Sequence, residues 1–350
     1  MSGGISQLVA IGAQDAHLVG DPQVSFFKSA YLRHTNFSMI TDRQVIQGNV
    51  GASSMSSVRF ERKGDLLSHV YITDRESGGA PFSPDWTTVI DRVELLIGGQ
   101  VIDTQDSFYS EMLATDFSAQ NFSKSASGVR GPPIFAASTG PDSTFYPLRF
   151  SFCENWASAL PLVALQYHDV EIRIYWNGPV AGHQYDVMAN YIYLDTDERE
   201  SLAGNPMSLL ITQVQKAITS GSKIQELNFN HPIKYLCSNV VALSNPASNN
   251  EVKLQINGTD VSDFKNSYIN YVEASSYYFT SQTKEDPTAF IYPFCLDVAK
   301  HQPSGTLNFS RLDSARLMTD KDGMADGNIY GVNYNVLAIK NGMGGLMYAN

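Results

Sequence analysis

The chain has 350 residues, with 24 Lys+Arg against 35 Asp+Glu, a formal net charge of −11. Hydrophobic residues make up 43% and charged residues 17%, which excludes wholesale disorder. The acidic balance excludes a nucleic-acid-coating protein, which needs basic side chains to displace counterions. No apolar run approaches the roughly 18 residues of a transmembrane helix.

The N-terminal stretch has no Lys or Arg before Lys28. It lacks the positive start of a secretory signal, so synthesis in the cytosol is expected. It is apolar in patches, Leu8-Val9-Ala10-Ile11 and Phe26-Phe27. Asp21-Pro22 predicts the capped start of a short helix running through Val24, Phe27 and Tyr31. We read residues 1–45 as an arm.

From there the hydrophobic period is two. Val170, Ile172, Ile174 and Trp176 alternate with Glu171, Arg173 and Tyr175, and Val252, Leu254 and Ile256 with Lys253 and Gln255, as in half-buried strands. Short runs of this kind, separated by Gly, Pro, Asn and Ser, predict an all-β sandwich or barrel. A second helix is predicted over Asp197–Leu202, stopped by Gly204-Asn205-Pro206.

The β pattern occurs twice. Val93–Gly99 resembles Val252–Gly258, each a strand ending in a tight-turn dipeptide, Gly98-Gly99 and Asn257-Gly258. Tyr146-Pro147 matches Tyr292-Pro293, His168–Arg173 faintly matches Leu312–Leu317, and Tyr191–Leu194 matches Tyr334–Leu337. The matches keep their order at offsets of roughly 143–159 residues, too long a period for a solenoid. Two copies of one β-domain are predicted, the first with a longer loop, each able to hold eight strands as a jelly roll. The boundaries read as 46–200 for the first, 201–215 for a linker and 216–350 for the second.

Chemistry-bearing patterns are few. Cys153, Cys237 and Cys295 are far apart and form no CxxC pair, which points to reduced, buried thiols. The seven histidines show no metal spacing, and neither a GxSxG elbow nor a P-loop occurs. Gly342–Gly345 has no helix after it and reads as a tight turn rather than a phosphate loop. Asp320–Asn328 has alternating oxygen ligands but lacks an EF-hand's closing Glu, so a polar hairpin loop is expected. No catalytic, cofactor or metal residue is assigned, and no enzyme is expected. Asn36, Asn121, Asn257 and Asn308 stand in glycosylation sequons.

Short stretches throughout the chain carry a resemblance. They are Gly3–Ala10 with Gly12–Asp15, Phe26–Lys28, Thr35–Phe37, Leu160–Leu162 with Ala164–His168, and Leu194–Thr196 with Glu198-Arg199. In the second half they are Phe229–Pro232 with Lys234–Leu236, Gln302–Gly305 with Asn308–Arg311, Tyr334–Leu337, Gly342–Leu346 and Tyr348–Asn350. In this order they resemble the major capsid proteins of the nucleocytoplasmic large DNA viruses, closest to the algal, chlorovirus-like branch. The resemblance implies a double jelly roll and homotrimeric, pseudo-hexagonal capsomers tiling an icosahedral shell around an internal membrane. It implies assembly in the host cytoplasm into the virion capsid, with the chain itself and neighbouring capsomers as partners. Minor capsid proteins under the shell are expected to be reached through the arm, without direct contact to nucleic acid. It also makes glycans possible, at sites the four sequons need not mark. Family members are often longer through outer loops. The compact second copy, from Asn228, therefore predicts a plainer outer surface and a minor or vertex role as an alternative. Two further alternatives are a same-fold assembly scaffold and a carbohydrate-binding β-sandwich using Trp86, Trp156 or Trp176.

Overall fold

The computed structural model describes residues 3–27, 31–76, 86–110, 145–179, 182–244, 250–278, 290–325 and 327–348. The chain divides into two units, Met1–Asn36 and Phe37–Asn350.

The first unit holds two short helices, Gly3–Val9 and Ala16–Val19, and none of its described residues is buried. The helix predicted from Asp21-Pro22 does not form over its described residues. Asp21 takes a positive φ of 50°, and Val24 and Phe27 stay exposed. The left-handed φ at Asp21 turns the chain out of a helical path at the position where the predicted helix should start.

The described residues of the second unit form four antiparallel sheets. The first sheet contains β1 (Phe37–Gln44), β4 (Leu66–Glu76), β7 (Phe145–Pro147), β8 (Leu160–Pro161) and β10 (His183–Leu194). Its order is β1-β10-β4-β7, with β8 also on β4. The second sheet contains β2 (Gln47–Gly48), β3 (Met55–Arg59), β5 (Ile90–Ile97), β6 (Gln100–Asp106) and β9 (Val170–Trp176), in the order β2-β3-β9-β5-β6.

The other two sheets repeat this plan. The third contains β11 (Met207–Ile218), β13 (Pro232–Ser238), β17 (Phe290–Pro293), β18 (Leu307–Asn308), β20 (Asn328–Lys340) and β21 (Met343–Leu346). Its order is β11-β20-β13-β17, with β18 on β13 and β21 on β20. The fourth contains β12 (Ile224–Glu226), β14 (Glu251–Ile256), β15 (Thr259–Asp260), β16 (Lys265–Asn266) and β19 (Ala315–Thr319). Its order is β12-β19-β14-β15, with β16 on β14. In each half the first long strand pairs with the last long one, β1 with β10 and β11 with β20, and that one pairs in turn with an early strand of the same roll, β10 with β4 and β20 with β13. The chain is a double jelly roll, all-β with few helices.

The sequence repeats fall on equivalent strands. The β5–β6 turn has Gly98 and Gly99 at φ 59° and 82°, and the β14–β15 turn has Asn257 and Gly258 at 48° and 79°. Both are the left-handed pairs that match strand twist in two-residue hairpins. The repeated Tyr-Pro pairs lie in β7 and β17, and the repeated Tyr-x-x-Leu segments in β10 and β20.

Two boundaries read from sequence shift. Residues 37–44, placed in the arm, form β1, which pairs with β10 from Phe37↔Leu194 to Gln44↔Val187. Phe37, Met39 and Ile40 are all exposed, so the strand leaves no alternating trace. Residues 201–215, placed in a linker, are the end of the predicted helix, here Thr196–Gly204, and most of β11. Asp195 caps that helix, its carboxylate accepting from the Thr196 amide at 2.7 Å. Arg199 docks it on the first roll through Asp65, at 2.8 and 2.9 Å.

Each roll has its own core. In the first, Trp86 packs on Tyr146 and Trp176 on Tyr185. In the second, Phe229, Phe294 and Phe309 pack edge to face. A third cluster joins Tyr109 of the first roll to Tyr235, Cys237, Tyr330 and Val332 of the second. Ile211, Leu337 and Ile339 also enter the first roll's core. The third sheet is therefore a wall shared by both rolls, and β13 and β20 are buried on both faces.

Candidate functional site: the junction between the rolls

Buried polar side chains gather where the two rolls meet. The junction is polar where β6 meets β11 and β20. Asp103 on β6 is 5% exposed. Its carboxyl accepts from the Val214 amide across the junction at 2.9 Å, from the Thr104 amide at 3.0 Å and from Gln105 Nε2 at 2.7 Å. Burial pushes it up to about 7, against the lowering effect of those three donors. Gln213 of β11 donates its amide to the Ile102 carbonyl, while its Oε1 accepts from Asn335 at 2.8 Å.

Three residues further on, Asp106 is held differently. Its carboxylate accepts from the Tyr109 amide at 2.8 Å, the Tyr330 hydroxyl at 2.8 Å and the Lys216 ammonium at 2.9 Å. Burial first, and the adjacent Asp106 second, raise the Tyr330 hydroxyl far above the ordinary phenol range.

A strap closes the other side. After β20 the chain turns back as β21 and reaches the first roll. The Tyr167 amide donates to the Gly342 carbonyl at 2.9 Å. His168 Nδ1 meets the backbone of Gly344, 2.9 Å from its oxygen and 3.2 Å from its nitrogen, donating to one or accepting from the other by tautomer. Leu346 packs on the first core. Gly342–Gly345 is thus a turn followed by a closely packed strand, as expected, and a Cβ on Gly344 would come 2.7 Å from Leu165 Cδ2. Gly98, at φ 59°, lies against the ring of the same His168. Gly98→Ala is expected to cost about 1–3 kcal/mol, because it strains the turn and displaces His168 from the strap. Thermal unfolding beside Gly99→Ala, which has open space at the same turn, checks this.

The structure does not gather the sequence-predicted sites. Asn36 is exposed and ends the first unit, and Asn121 lies outside the described residues. Asn257 is exposed at its hairpin corner, its Oδ1 accepting from the Asp313 and Ser314 amides at 2.9 and 3.1 Å. Asn308 is exposed and caps the turn Phe309–Arg311 through the Ser310 amide at 3.0 Å. In the Asp320–Asn328 loop, Asp320 accepts from the Glu251 amide at 2.7 Å, which lowers its carboxyl. The buried Asn250 receives the Lys321 and Asp322 amides, and Asp326 lies outside the described residues. Among the described residues no group of three or more His, Cys, Asp or Glu is placed to hold a metal ion. Cys237 and Cys295 are buried and Cys153 half-buried, all as free thiols pushed up by burial. Trp86 and Trp176 are core, while Trp156 is 85% exposed. Among the described residues no helix is long and apolar enough to cross a membrane.

Sequence reasoning passed over Asp103 and Asp106, two acids among 35. The usable signal was a set of uncharged amides in apolar strands, Gln105, Gln213, Asn333 and Asn335, which marks a buried polar seam.

Comparison with known proteins separates the two halves in the same way. Residues 25–198 match the family "Major capsid protein N-terminus", and residues 238–345 match "Large eukaryotic DNA virus major capsid protein". The major capsid protein of Pyramimonas orientalis virus is 35% identical over 398 residues, with all of both chains covered. That of Paramecium bursaria Chlorella virus 1 is 34% identical over 446 residues, again with all of both covered. The crystal structure of PBCV-1 VP54 superposes with a TM-score of 0.76 at 29% identity, covering 93% of this chain and 100% of that one. With both halves matched and relatives aligned from end to end, the chain belongs to the major capsid proteins of the large eukaryotic DNA viruses.

Proposed function

We propose that this chain forms homotrimeric, pseudo-hexagonal capsomers that tile an icosahedral shell around an internal membrane, assembled in the host cytoplasm. The structural role in a viral capsid follows from the family, as does self-assembly. The observation that carries the finer reading is the double use of one strand plan within one compact unit. Three chains then offer six similar lobes. Exposed aromatic and aliphatic side chains on the second unit, among them Trp156, Tyr167, Tyr277 and Leu296, suit contacts between subunits. Light scattering on a sizing column tests this. A particle three times the 38.5 kDa monomer is expected, and a monomer at every concentration overturns it.

The arm is the proposed link to minor capsid proteins or neighbouring capsomers, because Leu8, Val9, Leu18, Val24, Phe26 and Phe27 are all exposed. Removal of residues 1–30 is expected to leave the trimer intact and to impair shell assembly. Normal shells from that variant refute the link. A minor or vertex position is a second reading, favoured by size. The two viral relatives align over 398 and 446 residues against 350 here, so they carry residues this chain lacks. Copy number per virion separates bulk from minor roles and also identifies a scaffold, which is absent from the mature particle. Glycans at Asn36, Asn121, Asn257 or Asn308 would appear as hexose increments in the intact mass of virion-derived chain.

A further inference from the structure

We propose that the outer face of β1 and β10 on the first roll is covered by the second roll of a neighbouring copy, in the way that the first roll covers β11 and β20 within the chain. The number of copies rests on the capsomer reading above, whereas the pair of surfaces rests on the repeat inside the chain.

The covered face comes first. Leu194 and Leu337 hold matching places in the repeated Tyr-x-x-Leu segments, so the ladders put the two rolls on one scale. β1 pairs Met39 with Ile192 and Thr41 with Asn190, while β11 pairs Ile211 with Asn335 and Gln213 with Asn333. Met39 therefore stands where Ile211 stands, and Thr41 where Gln213 stands. Ile211 enters the first roll's core at 8% exposure, and Gln213 donates across the junction to the Ile102 carbonyl. Met39 is 60% exposed, and Ile192 and Leu194 beside it are half-buried. Among the described residues β1 pairs with β10 alone, and an apolar edge of this kind is a template for another chain.

The covering face repeats in the same way. Ile102 and Phe150 share a buried cluster with Ile211. Ile102 lies three residues past the Gly98-Gly99 turn, and Phe150 three past Tyr146-Pro147. Their counterparts in the second roll are Val261, three past Asn257-Gly258, and Leu296, three past Tyr292-Pro293. Phe150 is 1% exposed and Leu296 is 74% exposed, with Val261 exposed as well.

The chain thus buries one covered and one covering face against each other and leaves one of each open. The two open faces are unlike, so copies join head to tail, the heterologous contact that closes into a ring when the rotation allows. A two-fold contact would instead set Met39 against Met39 and leave Leu296 bare.

Polar groups mark the same faces independently. The buried Asn190 donates its amide to Thr41 Oγ1 at 3.3 Å, but its Oδ1 has no hydrogen-bond partner among the described residues. Ser262 stands where Asp103 stands in the first roll, and its buried hydroxyl has no partner among them either. Asp103 itself spends an oxygen on the Val214 amide across the junction. A buried acceptor left open is costly, and a donor from the incoming roll removes that cost.

Two measurements on the full chain test the contact. The first is a cysteine pair, Met39→Cys with Leu296→Cys, treated with a short bis-maleimide. Covalent trimers are expected on a denaturing gel, with nothing above the native background from either single variant. Covalent dimers from Met39→Cys alone would mean that like faces meet, which overturns the proposal. The second is assembly of Met39→Asp and of Leu296→Asp, each of which forces a charge into an apolar contact. Each is expected to raise the concentration needed for trimers by at least about 100-fold, with the circular dichroism of the native chain retained. Native trimers that give no cross-link from the pair, or that form normally with either Asp, overturn the contact and leave the capsomer reading standing. A native chain that stays monomeric at every concentration overturns both.

Discussion

Trp176→Ala is expected to destabilise the chain by about 3–5 kcal/mol, the range for emptying an aromatic site in a packed core. Trp176 is 1% exposed on β9, its ring 4.9 Å from Tyr185, its Nε1 donating to Ser56 Oγ at 2.9 Å. The indole fills the space between the two sheets of the first roll, and neither β3 nor β5 can collapse into the gap without breaking its ladder to β9. A loss of this size is a large fraction of the roughly 5–15 kcal/mol that holds an ordinary fold. Because both rolls share the third sheet, unfolding is expected as one transition in which the second roll also loses stability. Urea unfolding followed by tryptophan fluorescence and by circular dichroism checks this. Two separated transitions, or a loss below about 1 kcal/mol, would contradict it. Trp156→Ala is the control. That residue is 85% exposed on the single chain, so its loss is expected to leave the stability of the single chain within about 0.5 kcal/mol.

Removal of residues 342–350 is the second large effect. It deletes β21 from the second roll, yet much of the damage is expected in the first. The first core loses Leu346, the Tyr167 amide loses its carbonyl, and the His168 ring loses the Gly344 backbone. Apolar burial and two to three hydrogen bonds together amount to about 2–4 kcal/mol. Hydrogen exchange is expected to rise around Leu165–Val170 as well as along β20. Faster exchange confined to β20 would show that the strap does not support the first roll. Leu346→Ala alone is expected to reproduce about half of the loss.

What could be read from the sequence, and what could not, divides along physical lines. In β9 the alternation Val170, Ile172, Ile174, Trp176 maps directly onto four buried positions. The sheet has one face in the core, so a period of two survives. In β14 the same pattern holds for Val252 and Leu254 and weakens at Ile256, which is only half-buried at the turn. The paired turns were legible because a left-handed dipeptide restricts residue choice to Gly and Asn. β13 and β20 were harder. From Ile329 to Asn335 every residue is buried, polar and apolar alike, because the second roll's wall is also the first roll's neighbour. Local alternation cannot report on a neighbour far away in sequence. The same reason hides Asp103 and Asp106, whose partners Val214, Lys216 and Tyr330 come from the other half of the chain. The Asp21-Pro22 cap signal was local and was overridden at Asp21 itself, whose left-handed φ of 50° breaks the helical path before Val24.

The shared third sheet has a mechanical consequence. A rotation of one roll against the other would slide β6 along β11 and expose Ile211, Leu337 and the Gln213–Asn335 amides together. The unit therefore has no soft hinge at its waist and behaves as one stiff block. Any curvature that a closed shell demands has to be taken up where one block meets the next, so variants that alter particle radius are expected on the outer faces of the subunit and not along the seam between its halves.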